Sequence, residues 1–283
     1  MEIRELLESL LHRRSQEHLA NDPLSFCHRF PAPPDQEIAA MIAAPLAYGA
    51  IGVILGTLRR VFEGVGPSPR RFIETLEIGR ERSRFREFRH RFNTGDDLVA
   101  LFFAIRTIID RWGSVGKFAT ECDDPRDPDI TATLDRFSSR ILSFDYSPVF
   151  GTPSPPGSFR FLFPTPRDRS SCKRLCLLFR WMARPADGVD LGLWRGISPA
   201  RLVIPVDRHV ERIGKLLGFT RRRTPSWRMA QEITDSLRRF DPHDPVKYDF
   251  SLAHLGISGG CTGREAPPCQ SCHLSVICPR DRG

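Results

Sequence analysis

Apolar positions along the chain recur mostly at intervals of three and four residues, the period of an amphipathic helix. Residues 2–20 place Ile3, Leu6, Leu7, Leu10 and Leu11 on one face. The stretch "TGDDLVALFFAIRTIIDRWG", 94–113, opens with Thr94 as N-cap and Asp97 three residues on, a capping-box variant, and stops at Gly113. Residues 129–144, 170–184, 206–219, 226–240 and 243–256 read as further helices. Strand candidates such as "RLVIPV" are short and isolated, and nothing alternates strand with helix. The pattern predicts an all-α protein. Residues 38–56 carry no charge but are rich in Ala and Gly and contain Pro45, so they predict a buried helix pair broken near Tyr48-Gly49 rather than a membrane span. Two irregular stretches interrupt the helices, the proline-rich 145–169 and the segment 185–205.

Composition then narrows the class. With 283 residues, 40% of them hydrophobic, the chain can bury a real core. No apolar signal segment opens the charged N-terminal stretch, so a soluble, cytoplasmic protein with free thiols is expected, with no membrane partner. The net charge of +8 favours a polyanion as partner, nucleic acid first. Of the 42 basic residues only Lys117, Lys173, Lys215 and Lys247 are lysines. The basic cluster Arg221, Arg222 and Arg223 is a candidate phosphate-contacting surface, or equally a solvated charge run.

Two residues stand out chemically. Lys173 lies in the first turn of a helix that is otherwise largely apolar, with Ser170 and Ser171 before it as N-cap candidates. The partial positive charge of a helix start opposes a cation there, and burial would add to the bias toward a neutral, nucleophilic amine. Arginine cannot serve that purpose, because it stays protonated. A surface lysine is the ordinary alternative. Asp207 follows an apolar run and opens the next amphipathic helix, so its simplest role is N-cap; the same carboxylate could support positive charge developing on a sugar. His209, one turn in, reads as structural. Cys27, Cys122, Cys172 and Cys176 read as small buried hydrophobes.

The segments "SSCKRLCLLFRW" and "IPVDRHVERI", followed by the terminal "CTGREAPPCQSCHLSVIC", resemble in that order the helix-hairpin-helix DNA glycosylase superfamily. Endonuclease III relatives carry a catalytic lysine, an aspartate in a V-D-x-H-[VI] context, and a four-cysteine loop that holds a [4Fe-4S] cluster. Lys173, Asp207 and Cys261, Cys269, Cys272 and Cys278 match these in turn. "DQEIAA", "RFNTGDDL", "DGVDLGLW" and "DPVKYDF" are further similar to a bacterial family of unknown function within that superfamily. The match has departures. The glycine-rich hairpin that should precede the lysine is replaced by "FPTPRDRSS", leaving Ser170, Ser171 and the amides of the helix start as a substitute phosphate site. The first cysteine gap is one residue longer than in endonuclease III. The Lys173–Asp207 separation is also nearly twice that of endonuclease III, and is similar instead to archaeal 8-oxoguanine glycosylases.

The resemblance implies two helical domains flanking a DNA-binding cleft. Residues 31–190 would form one, and residues 1–30 joined to 191–283 the other, carrying the cluster. It implies a monomer that acts on double-stranded DNA containing a damaged base. Lys173 would attack the sugar, assisted by Asp207, in a glycosylase with AP-lyase activity. Gln36, Trp194 and Asp249 are candidates for holding the flipped base, which points to 8-oxoguanine ahead of oxidised pyrimidines. A non-catalytic iron–sulfur nucleic-acid-binding protein and a plain helical zinc protein are the rival readings. Cysteine gaps of seven, two and five residues suit one compact [4Fe-4S] loop; zinc, with His273 as a further ligand, is the alternative. Arg264 and Arg280 would lie near the DNA backbone.

Overall fold

The computed structural model describes residues 3–12, 16–257, 259–264 and 267–278. Arg280 and the side chain of His273 lie outside what is described. The protein is mostly helical, and its one sheet among the described residues is a two-residue hairpin in which Arg89 pairs with Thr94 and His90 with Asn93. No helix among the described residues is long and apolar enough to cross a membrane.

The uncharged stretch forms the helices Pro33–Leu46 and Ile51–Val65, broken at Ala47–Ala50 as its composition suggests. Pro45 sits in the last turn of the first helix, and Gly49 adopts φ 108°, a conformation that a Cβ resists. From Ile38 to Leu46 every residue of that helix is buried, so it is the centre of the core. The helix Gly95–Trp112 packs beside it. Its N-terminus is held by the Thr94 amide donating to Asp97 Oδ2 at 2.8 Å, and it ends on left-handed Gly113. The N-terminal stretch divides into Ile3–Leu11 and Gln16–Ala20 rather than running as one helix.

The proline-rich 145–169 segment is not a free loop. It forms the short helices Ser147–Phe150 and Gly157–Arg160, and it buries Tyr146, Val149, Phe159, Leu162 and Phe163 against the Gly95–Trp112 helix. The apolar "RLVIPV" run forms no strand; Leu202 to Val206 are buried without regular secondary structure, and Ile204 donates its amide to Thr234 Oγ1 at 3.0 Å. The chain ends meet: Tyr248 and Lys247 both reach Glu8, at 2.6 and 3.0 Å.

Two helices of the C-terminal part, Arg208–Leu216 and Asp249–Ile257, pack closely because Gly256 lets the His209 ring approach its Cα. A Cβ at Gly256 would lie 2.2 Å from His209 Nδ1 and 2.7 Å from its Cβ. Gly256→Ala should therefore destabilise the fold by roughly 1–3 kcal/mol through overpacking. Gly56→Ala, in a helix interior with open space around it, should instead stabilise by about 0.5–1 kcal/mol. Urea denaturation of the two variants checks the opposite signs.

Candidate active site

Lys173 is the first residue of the helix Lys173–Ala183, the lysine helix. Ser170 and Ser171 do not cap it. The N-cap is Cys172, a buried residue in left-handed conformation with φ 49°, and Ser170 Oγ instead accepts the Cys172 amide at 3.1 Å. The chain turns too sharply there for either serine to reach the first helical amides, which have no side-chain acceptor. Lys173 is half-buried, and its Nζ donates to the carbonyl of Ala47, at the C-terminal end of the Pro33–Leu46 helix, at 3.4 Å. The carbonyl end of one helix thus offsets part of the unfavourable field at the start of the other.

Asp207 is the N-cap of Arg208–Leu216, its Oδ1 accepting the His209 and Val210 amides at 2.8 Å each. No ion pair joins Lys173 to Asp207 among the described residues, yet the two share an electrostatic neighbourhood. Burial holds the His209 imidazole below its ordinary pKa; the Asp207 charge opposes that, while the fields of Arg212, Arg208 and Lys173 add to it. Burial likewise pushes the Asp249 carboxyl up to about 6, with Asp207 adding to the rise against the Arg180 cation.

Asp249 is 2% exposed and opens the helix Asp249–Ile257. Its Oδ2 is paired with Arg180 on the lysine helix, while its Oδ1 has no hydrogen-bond partner among the described residues. Arg180 also pairs with Asp190 at 3.1 Å, and Arg184 with Asp190 and, at 2.9 Å, Asp244. This buried ion network ties the lysine helix to the helix that packs on Asp207.

Gln36 and Trp194 do not gather with Lys173. Trp194 donates its amide to Met182 and its indole to Glu37 at 2.7 Å, so the tail of the lysine helix lies by the head of Pro33–Leu46. Since Lys173 meets Ala47, the two helices run antiparallel. Nine residues of rise put Trp194 about 13 Å from the lysine end, and eleven put Gln36 about 16 Å away. Trp194 is 2% exposed, edge-on to Phe179, and Gln36 donates to the Phe30 carbonyl at 2.9 Å. Both serve the core at the opposite pole. Arg221 is exposed, Arg222 is paired with Glu232 at 2.8 Å, and the Arg223 carbonyl accepts Lys215, so that cluster is a partly neutralised surface.

The residues that surround the lysine end include several that periodicity does not mark. Tyr48 donates to the His90 carbonyl at 2.9 Å and to Asn93 Oδ1, and Asn93 donates to the Ser158 carbonyl at 2.7 Å. These bonds pin the hairpin so that Phe92 stands exposed at its tip, 4.6 Å from the ring of exposed Phe161. Arg174, next to Lys173, stacks on Phe161 at 3.9 Å and on Tyr48 at 5.0 Å, and burial lowers its pKa to about 10. The signal in the sequence was Phe92 in the otherwise polar turn "HRFN"; nothing in "SFRFLF" sets Phe161 apart from its buried neighbours.

At the far end of the Asp207 helix, Cys261, Cys269, Cys272 and Cys278 line one cavity together with Leu216 and Gly263. Among the described residues no three His, Cys, Asp or Glu side chains are gathered as a single metal ion requires. The cavity wall supplies four thiols and no carboxylate, a donor set that fits a thiolate-held group. Gly263, at φ 82°, packs against Arg212, and Leu216 is in the wall, so the cavity abuts the Asp207 helix. Arg264 is exposed beside it.

The Asp249 carboxyl keeps its proton in the fold between about 4 and about 6, where the unfolded chain has released it. The stability from that proton is fully present below the ordinary value and is lost as pH rises toward 6. The wild-type minus Asp249→Asn difference in urea midpoint should fall over that window; a flat difference would remove the assignment.

The family described as "Protein of unknown function (DUF2400)" matches residues 22–258, most of the chain. No curated protein and no solved structure matches it.

Proposed function

The chain belongs to the DUF2400 family, and we propose that it is a DNA glycosylase with associated AP-lyase activity that removes a damaged base, 8-oxoguanine first, from double-stranded DNA. The observation that carries this reading is the shared electrostatic neighbourhood of a half-buried lysine at one helix start and a capping aspartate at another, with exposed aromatic rings beside the lysine. A base inside the duplex is out of reach, so it must be flipped out, at a cost of a few kcal/mol. Phe92 and Phe161 offer apolar surface to fill the place it leaves.

Lys173, as the free amine, attacks the deoxyribose C1′. The C1′–N bond breaks with its electron pair leaving on the base, and the base takes up a proton. Asp207, whose Oδ1 accepts two backbone amides, stabilises the positive charge that builds on the sugar and receives the ammonium proton. Ring opening gives an imine between Nζ and C1′; loss of a C2′ proton then expels the 3′ phosphate and nicks the strand. The uncapped amides at the start of the lysine helix can receive a DNA phosphate in place of a glycine hairpin. Of the three base-holding candidates, Asp249 feels the charge of Asp207, and its buried Oδ1 has no hydrogen-bond partner among the described residues. The two domains would be the segments 31–190 and 1–30 with 191–283. Cys261, Cys269, Cys272 and Cys278 would hold a [4Fe-4S] cluster, which supplies structure rather than chemistry to this site.

Borohydride should trap wild-type protein on an 8-oxoguanine duplex. Lys173→Gln should lose the adduct entirely and the cleavage rate by at least ~100-fold. Asp207→Asn should keep its cap and melting temperature while losing on the order of 10²–10³ in rate. Trapping undiminished in Lys173→Gln would refute the assignment, and DNA binding without trapping in wild type would favour the non-catalytic reading.

Aerobically purified protein should show an absorption band near 400 nm that any single Cys→Ser change in the four diminishes. A colourless protein that carries one zinc per chain would replace the cluster with zinc.

A further inference from the structure

Residues 80–91 contain six arginines: Arg80, Arg82, Arg84, Arg86, Arg89 and Arg91. All six are exposed, while Glu81, Phe85, Phe88 and His90 between them are buried. The segment runs from the short helix Ile78–Arg84 through a turn into the hairpin. It therefore buries its apolar residues and turns its cations outward. Three carboxylates face it: Glu81 lies 3.7 Å from Arg80 and 3.4 Å from Arg84, Asp96 pairs with Arg82 at 2.9 Å, and Glu87 pairs with Arg86 at 3.2 Å, a pair more than four-fifths exposed that contributes little. Arg89 and Arg91, at the hairpin end of the segment, pair with no carboxylate among the described residues; Arg89 donates to the Arg86 and Phe88 carbonyls. Arg82, Arg86 and Arg89 line one open cleft of about 580 Å³ with Thr94 and Gly95, where the Gly95–Trp112 helix begins. Gly95 is required there, since a Cβ would lie 2.1 Å from the Phe85 carbonyl oxygen.

The ridge leads to the lysine. Arg91, at φ 57°, is the first of the two residues at the hairpin tip, beside exposed Phe92. Its side chain runs along Gly49, whose Cβ position is 3.7 Å from Arg91 Cδ, and Gly49 is two residues from the Ala47 carbonyl that accepts Lys173. A left-handed arginine costs on the order of 1 kcal/mol. It is held in place by Tyr48, His90 and Asn93 beneath it.

We infer that this arginine ridge is the track for the phosphate backbone of duplex DNA, leading one strand to the hairpin tip and the Lys173 end. The inference rests on the glycosylase reading for its choice of DNA. It assigns the phosphate grip to residues 80–91 rather than to the Arg221–Arg223 cluster, because the ridge ends at Gly49, two residues from the carbonyl that accepts Lys173. A row of exposed guanidiniums displaces condensed counterions from a polyanion and binds without regard to sequence.

Binding of the full chain to an undamaged duplex, measured by anisotropy over a salt series, tests this. A variant with Arg86→Gln, Arg89→Gln and Arg91→Gln should reduce the slope of log K against log salt by about 2–3, since each neutralised phosphate adds about 0.9 to it. The corresponding Arg221, Arg222 and Arg223 to Gln variant should change it by less than about 1. The three ridge arginines changed to Lys should keep the slope, since the charge persists. An unchanged slope in the ridge Gln variant overturns the inference, as does loss of slope in the Lys variant. Binding to anionic phospholipid vesicles but not to duplex overturns it in favour of a lipid surface. Borohydride trapping separates the two readings: a ridge-dependent slope without an adduct leaves the ridge standing and removes the glycosylase, and an adduct with a ridge-independent slope does the reverse.

Discussion

The arrangement depends on a buried set of charges. Arg180 and Arg184, both on or at the end of the lysine helix, meet Asp190 and Asp249 with almost no exposure to water, and Arg184 also meets the half-buried Asp244. Burial works against each ion, and only the mutual attraction and the hydrogen bonds of the fork-shaped guanidiniums offset it. Removing one partner from such a set costs on the order of 3–5 kcal/mol. Its value here is positional. It joins the helix that begins with Lys173 to the helix that begins with Asp249, and Gly256 then seats the latter on the helix that Asp207 caps.

From that junction the other features take their places. The central Pro33–Leu46 helix lies antiparallel to the lysine helix, so the pair has two poles. One pole has Lys173, the Ala47 carbonyl, the pinned hairpin and two exposed phenylalanines. The other has Glu37, whose carboxylate takes the Val115 and Gly116 amides and the Trp194 indole, and it is a packing device. The cysteine cavity sits at the remote end of the Asp207 helix, where it abuts that helix without touching the lysine.

Part of this was legible from residue order alone. The capping box at Thr94, the stop at Gly113 and the break near Tyr48-Gly49 follow from local backbone chemistry and were found where expected. The N-cap role of Asp207 was equally local. The serines before Lys173 failed as caps because Cys172 takes a left-handed turn that no side-chain preference announces. Trp194 and Gln36 failed as neighbours of Lys173 for a different reason: their distance from it is set by which way two helices cross.

Periodicity, capping residues and charge thus determined the longer helices, some of their ends and the identity of the chemically unusual residues, because each of those rests on interactions within a few positions of the chain. Which of the residues meet was decided by tertiary structure. Asp249 faces Arg180 across 69 positions, and Lys173 reaches Ala47 across 126. Contacts at such separation depend on the packing of whole helix faces, and the sequence states the faces without stating their partners.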